Sequence, residues 1–142
     1  MQFTHHLNPA PASEQRRAEI MANPGFGKYF TDHMVRIDWS VAEGWHDARV
    51  IPYGPLALDP ATNFMHYGQA IFEGLKAYEH SDGSVYTFRP TENARRFARS
   101  AARLGMAQLP EDLFLQSLKE LLSVDKAWVP HQDEQSLYLR PF

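Results

Sequence analysis

The chain has 142 residues, with 14 lysines and arginines against 17 aspartates and glutamates, which gives a formal net charge of −3. This balance argues against nucleic acid or an anionic membrane surface as the partner, because both attract basic proteins. The absence of cysteine excludes disulfides, thiolate zinc sites and a thiol nucleophile.

Residues 1–24 are predicted to form an N-terminal tail ahead of a single folded domain, residues 25–142. Three prolines interrupt the tail, and its one helical signal has Ser13 as a possible N-cap. The N-terminus lacks the basic and apolar regions of a secretory signal, and no apolar run approaches the ~18–20 residues of a membrane span. We therefore expect a soluble, cytoplasmic protein.

The domain combines strand and helix patterns without a regular alternation. The predicted strands cover residues 31–39, 48–51, 75–79, 84–89 and 136–142. The third and fourth form a hairpin through Asp82-Gly83, a pair that tolerates the positive φ of a tight turn. Two helices are predicted next, one capped by Thr91 and one beginning after Pro110. This order predicts an α+β fold with a mostly antiparallel sheet and helices packed on one face.

The last strand pattern runs up to Phe142 and stops without a turn or a following partner. This ending indicates a chain that would continue in a longer protein. The alternative is that the last strand is the edge of its sheet.

Three segments could carry chemistry. In residues 66–74, two glycines flank aromatic and polar side chains, which would suit a pocket wall; the pattern itself favours a helical turn with Phe72 in the core. The first long helix carries four arginines opposite its apolar side, which could bind an anion, although periodicity favours a solvated face. Tyr138 and Arg140 alternate with Leu139, so their side chains would lie about 6–7 Å apart on one side of a strand and could hold a carboxylate. An exposed edge strand explains that pair equally well.

The histidines lack the spacing of metal ligands, so no metal site is predicted. Phosphate-binding glycine motifs and the nucleophile motif of serine hydrolases are also missing. Nothing in the local sequence marks any lysine as an activated amine.

Taken together, four segments in order resemble the N-terminal part of the branched-chain amino acid aminotransferases, enzymes of fold type IV that use pyridoxal phosphate. The segments are Phe30-Thr31-Asp32-His33-Met34, the run from Met65 through His66-Tyr67-Gly68 and Phe72-Glu73-Gly74-Leu75-Lys76 to Tyr78, the run from Phe88-Arg89-Pro90 to Arg96, and Tyr138-Leu139-Arg140-Pro141-Phe142. The resemblance covers residues 24–142 and implies the small N-terminal domain of such an enzyme.

The resemblance implies roles for six residues. Arg96 matches the arginine that binds the cofactor phosphate, on a helix that the second domain covers. Phe26, Tyr67 and Phe72 match aromatic walls of the substrate pocket, with the tyrosine serving the neighbouring subunit of a homodimer. Tyr138 and Arg140 match residues near the substrate carboxylates, where Arg140 would attract the carboxylate of 2-oxoglutarate or glutamate. The apolar pocket implied by the resemblance suits Leu, Ile and Val.

The same resemblance places the Schiff-base lysine, and the glutamate beside the pyridine nitrogen, in a C-terminal domain beyond residue 142. No catalytic residue is therefore expected in this chain, which is predicted to be inactive alone. Two alternatives stay open: a related fold-type IV enzyme, such as a D-amino acid aminotransferase or an aminodeoxychorismate lyase, and a non-catalytic dimerising fragment.

Overall fold

The computed structural model describes residues 1–132 and 134–142. Its strands are β1 (Thr4–His5), β2 (His33–Ser40), β3 (Gly44–Pro52), β4 (Leu75–Glu79), β5 (Val85–Thr87) and β6 (Leu137–Leu139). Its helices are α1 (Glu14–Ala22), α2 (Asn63–Tyr67), α3 (Pro90–Arg103) and α4 (Glu111–Asp125), the last followed by a 3₁₀ turn at Lys126–Trp128. The α+β class is thus confirmed, and none of these helices is long and apolar enough to cross a bilayer.

The first sheet has the strand order β1-β3-β2, in which β2 and β3 are antiparallel and β1 runs parallel to β3. Two residues of the segment expected to be a tail therefore pair with the sheet. The helical signal in that segment is confirmed as α1, whose cap Ser13 accepts a hydrogen bond from the Arg16 N–H at 3.1 Å. The capping satisfies one of the backbone donors left free in the first turn.

The second sheet has the order β5-β4-β6, with both strand pairs antiparallel. The predicted hairpin is confirmed as β4–β5, and Gly83 in its turn has a φ of 77°. In the other pair, Lys76 lies opposite Tyr138, while Leu75 lies opposite Leu139. Since successive side chains alternate between faces, Leu75 and Leu139 point into the core and Lys76 and Tyr138 point outward.

The main core lies between the second sheet and the two long helices. It joins Leu75, Ala77 and Leu139 of the sheet to Ala94 and Phe97 of α3 and to Phe114 and Leu118 of α4. The Phe97 and Phe114 rings have centroids 5.7 Å apart, within the range of favourable aromatic pairs. The helices therefore cover one face of this sheet, and its other face carries Lys76 and Tyr138.

Two details differ from the sequence-based expectations. The strands divide into two sheets where one sheet was expected, because periodicity shows which face a residue takes but not which strands pair. Helix α3 begins at Pro90 with Arg89 at the N-cap, so the prediction of Thr91 as the cap was wrong. Proline suits the first helical position because its missing N–H would have no partner there.

Candidate functional site

The segment between α2 and β4 brings backbone and side chains to the outer face of the second sheet. Gly68 ends α2 in the left-handed conformation, with a φ of 62° that a residue with a Cβ would adopt at a cost. The chain then runs without regular structure to β4, and the Phe72 side chain is 68% exposed. The interpretation of Phe72 as a core residue was therefore wrong, and its role as a pocket wall stays a prediction.

Four of the predicted site residues lie together at the end of β6. The Phe26 and Tyr138 rings meet edge to face, with centroids 5.3 Å apart. The Arg140 guanidinium carbon lies 5.5 Å from the Phe72 ring centroid and 5.3 Å from that of Tyr138. At these distances the cation is attracted by the negative faces of both rings. Backbone pairing fixes the geometry, since the Glu73 N–H donates to the Pro141 carbonyl at 2.8 Å.

The backbone of Gly74 lies directly against the Tyr138 side chain. A Cβ built at Gly74 would lie 2.2 Å from the Tyr138 hydroxyl oxygen and 2.9 Å from its Cζ. Any other residue at this position would displace the tyrosine ring, because real Cβ atoms do not approach so closely. The absence of a side chain at Gly74 therefore lets the Tyr138 ring take this position.

Arg96 forms a two-pronged ion pair with Glu73. Its Nε donates to Glu73 Oε2 at 2.7 Å and its Nη2 donates to Oε1 at 2.5 Å. The carboxylate side chain is only 4% exposed, whereas the arginine side chain is 61% exposed. Hydrogen bonding to Arg96 lowers the pKa of Glu73, and the same pairing raises the pKa of Arg96. Both groups are therefore charged at neutral pH.

Asn93, three residues before Arg96 on α3 and partly buried, closes the arrangement. Its amide donates to the Gly74 carbonyl at 3.1 Å and to Glu73 Oε1 at 3.3 Å. A cavity of about 160 Å³ opens beside it, lined by Phe88, Arg89, Glu92, Asn93 and Arg96. A second cavity of about 320 Å³ lies along the sheet, lined by Gly74, Leu75, Lys76, Tyr78, Phe88, Asn93 and Tyr138. Phe88 and Asn93 line both cavities, so Arg96 and Tyr138 border adjoining space.

Tyr67 lies apart from the other predicted residues. Its side chain is 81% exposed, and its ring lies beside His66, with centroids 6.3 Å apart. The ring contacts among Phe26, Phe72, Tyr138 and Arg140 do not include it. The structure thus groups four of the six residues around β6 and places Arg96 next to them through Glu73.

Sequence reasoning gave no role to Glu73 or Asn93. Glu73 was visible as a charged residue between Phe72 and Gly74, immediately before a strand with a buried first residue. A carboxylate at such a position must be paired when it is buried, and the nearby helix supplies four arginines. Among residues 1–132 and 134–142, no group of three or more histidine, aspartate or glutamate side chains could hold a metal ion.

Comparison with known proteins gives three informative relatives, although no family model matches the chain. The branched-chain-amino-acid aminotransferase of Mycolicibacterium smegmatis is 57% identical over the whole chain, and a probable one from Streptomyces coelicolor is 56% identical over 98% of it. A probable branched-chain-amino-acid aminotransferase of Staphylococcus epidermidis is 50% identical over 85% of the chain.

The chain spans 39% of the length of the first two relatives and the match reaches 34% of the third. Identity of this level over whole elements, including those that carry the candidate site, indicates common descent and a shared fold. Over its whole length, the chain is homologous to the N-terminal portion of the branched-chain-amino-acid aminotransferases.

Proposed function

We propose that the chain is the part of a pyridoxal-phosphate-dependent branched-chain aminotransferase that holds the cofactor phosphate and walls the substrate pocket. The observation that carries the proposal is Arg96, a guanidinium fixed on one edge by Glu73 yet 61% exposed beside a cavity. The full enzyme would move the amino group between Leu, Ile or Val and 2-oxoglutarate.

The donors of Arg96 fit a phosphate. A guanidinium carries five N–H groups in a planar fork, of which Nε and one Nη2 hydrogen are taken by Glu73. The remaining Nη1 and Nη2 hydrogens form a second fork that can bind two oxygens of one anion. A phosphate monoester carries that geometry and charge, so the donor set supports Arg96 as the residue that holds it.

The aromatic cluster fits an apolar substrate with a carboxylate. Phe26 and Phe72 offer exposed ring surface, and branched aliphatic side chains gain from such surface without hydrogen bonds. Arg140 offers a cation at the rim, held against the rings of Phe72 and Tyr138. In this proposal Tyr138 and Arg140 bind and orient the substrate carboxylate while the rings exclude water from the reacting end.

Pyridoxal phosphate, when bound, supplies the carbonyl and the electron-withdrawing ring that amino-group transfer needs. The proposal places the lysine that works with it in a domain beyond residue 142, so residues 25–142 would be a substrate- and phosphate-binding domain preceded by the tail at 1–24. It also includes a cytoplasmic homodimer, in which the exposed Tyr67 would enter the neighbouring subunit's site.

A chimeric enzyme tests this function. The chain replaces the matching 39% of the Mycolicibacterium smegmatis relative, and amino-group transfer to 2-oxoglutarate is measured with Leu, Ile, Val and D-Ala. We expect transfer from the three branched-chain amino acids and not from D-Ala. Arg96→Ala in the chimera should weaken cofactor affinity by about tenfold or more, because a charge-assisted hydrogen bond contributes ~1.5–3 kcal/mol.

The controls separate the alternatives. Arg99→Ala removes a charge from the same helix without touching Glu73 or either cavity, and should leave cofactor affinity unchanged. Preference for D-Ala, or lyase activity on aminodeoxychorismate, would favour a different fold-type IV enzyme. A folded, cofactor-loaded chimera with none of these activities would contradict the enzyme proposal and favour a non-catalytic fragment.

A further inference from the structure

The Glu73 carboxylate accepts more hydrogen bonds than a simple ion pair needs. Besides the two from Arg96, it accepts one from the Gly74 N–H at 2.7 Å and one from the Asn93 amide at 3.3 Å. Its own N–H is bonded to the Pro141 carbonyl. A carboxylate that is 4% exposed and held by four donors cannot turn without breaking several bonds.

The arginine has no comparable restraint of its own. Its side chain leaves α3 and is mostly in solvent, and the only ion pair that the described residues give it is the one with Glu73. A free arginine side chain loses about 2 kcal/mol of rotamer entropy when it is fixed. Glu73 therefore fixes the plane of the guanidinium before any ligand arrives, and this turns the second donor fork away from the carboxylate.

We propose that Glu73 is a positioning residue that pre-orients Arg96 for a phosphate monoester, with Asn93 and the Gly74 N–H holding Glu73 in turn. The inference rests on the proposed function, in which Arg96 binds the cofactor phosphate. The buried Glu73 carboxylate repels anions by its charge. The proposal is that its net effect on anion binding is nevertheless favourable.

Removal of the Glu73 carboxylate should change phosphate affinity in opposite directions, depending on whether its charge or its orienting effect on Arg96 dominates. If only charge mattered, removing a carboxylate near the site would strengthen phosphate binding, because two like charges would no longer face each other. If orientation matters more, removing it would weaken binding, since the guanidinium must then be ordered by the ligand itself. The sign of the change therefore decides between the two effects.

The test uses the 142-residue chain and two probes, inorganic phosphate and pyridoxine 5′-phosphate. The second carries the cofactor's phosphate ester without the aldehyde, so it does not react with lysines. Binding is followed by nuclear magnetic resonance, and the Nε–H signal of Arg96 is observed directly. In the unsubstituted chain we expect that signal to be resolved and protected from exchange, because its hydrogen bond ends on a buried carboxylate.

For Glu73→Gln we expect the affinity for both probes to fall by about fivefold or more and the Arg96 Nε–H protection to be lost. Glu92→Gln is the matched control: it also removes one carboxylate charge near Arg96, from the lining of the cavity that Arg96 borders, but Glu92 pairs with Arg95 at 2.8 Å. It should leave the Arg96 signal unchanged and the affinity within about twofold of the original, or higher.

Unchanged or tighter binding in a folded Glu73→Gln chain would overturn the proposal. If that variant does not fold, Glu73→Asp replaces it, because aspartate keeps the charge but has a side chain one methylene shorter. It should weaken phosphate binding and alter the Arg96 Nε–H signal. Unaltered affinity in Glu73→Asp would refute the positioning role. Arg96→Ala separates the phosphate-binding role of Arg96 from the positioning role of Glu73. If it leaves phosphate affinity unchanged, the phosphate role of Arg96 fails and the positioning role fails with it; if it abolishes binding while Glu73→Gln has no effect, positioning alone fails.

Discussion

At the scale of single residues, Gly74 sets the position of a side chain far away in the sequence. Its conformation does not require glycine, since its φ is not in the left-handed region. What favours glycine is the Tyr138 hydroxyl, which occupies the space that a Cβ would take. Tyr138 in turn meets Phe26 edge to face and lies under Arg140. The absence of a side chain at position 74 thus lets Tyr138 lie where it contacts both Phe26 and Arg140.

Gly74→Ala should lower the free energy of unfolding by about 1–3 kcal/mol, the usual cost of forcing an extra methyl group into a packed contact. Urea denaturation measures the loss. Gly54→Ala is the control, because Gly54 has neither a positive φ nor any atom within 4 Å of a built Cβ. An equal change in both variants would show that the contact with Tyr138 contributes nothing to the loss of stability.

Arg96 shows the limit of sequence reasoning for one residue. Helical periodicity placed it opposite the apolar side of α3, and the structure agrees, since the side chain is largely exposed. Periodicity could not reveal that its partner is a buried carboxylate on a different segment, because a hydrogen bond between distant residues leaves no repeat in the sequence. The anion-binding role is what the resemblance implies, and it stays a proposal, which the exposed second donor fork of Arg96 supports.

At the scale of elements, a cluster of charged side chains connects β2 with β3, with Arg49 paired to both Asp38 and Asp47. Arg36 and Arg49 lie directly opposite each other across the two strands, an unfavourable pairing of like charges. Asp38 accepts from Arg49 Nη2 at 2.8 Å and from Arg36 Nε at 2.9 Å. The hydrogen bond from Arg49 is the main reason that the pKa of Asp38 is lowered. The Asp38 carboxylate therefore offsets the repulsion between the two arginines that this strand register places opposite each other.

This lowered pKa predicts a pH dependence of stability. The folded chain holds Asp38 ionised below the pH at which the unfolded chain protonates it, so the contribution is present above about pH 4 and is lost as pH falls through the folded pKa. Asp38→Asn should thus reduce the stability by up to ~1 kcal/mol at pH 6 and by progressively less toward pH 2. Thermal unfolding across that range measures both curves.

The pH effect should depend on the arginine. In an Arg49→Gln background, Asp38→Asn should show a clearly smaller dependence on pH, because the main cause of the shift is gone. Parallel stability curves for Asp38→Asn and the unsubstituted chain from pH 6 to pH 2 would contradict the assignment.

Elements with local signals were predictable from the sequence, and pairings between distant segments were not. The hairpin followed from Asp82-Gly83, and α1 from Ser13, because a turn or cap is decided by adjacent residues. The parallel pairing of β1 with β3 has no such signal: two residues are too few to show a period. The candidate site was found through resemblance for the same reason, since its residues come from four separate segments.

At the scale of the whole molecule, α4 joins the two sheets. Its Phe114 and Leu118 pack in the core of the second sheet. Its last residue, Asp125, accepts hydrogen bonds from Nδ1 of the His33 ring at 2.7 Å and from the backbone N–H of His33 at 3.1 Å. The other ring nitrogen of His33 accepts from the Asn8 N–H at 2.9 Å. A single buried carboxylate thereby links the helix, β2 of the first sheet and the N-terminal segment.

Asp125→Ala should reduce the free energy of unfolding by about 3 kcal/mol, the cost of removing one partner from a buried hydrogen-bonded pair. Denaturant unfolding measures the loss, and hydrogen exchange should show earlier opening at Asn8, whose N–H depends on the histidine ring. Asp112→Ala, at the exposed start of the same helix, should cost under ~1 kcal/mol. Similar losses in the two variants would show that Asp125 does not link the sheets.

The two arginines of the candidate site act over different distances. Glu73 cancels the charge of Arg96 at close range, so little of its field extends outward. Arg140 lies on the rings of Phe72 and Tyr138, which hold a cation without neutralising it, and within the described residues it has no acidic partner. Its field therefore extends over a Debye length of about 8–10 Å. Capture of an anion from solution, as distinct from its retention, would thus depend on Arg140 and weaken as salt is added.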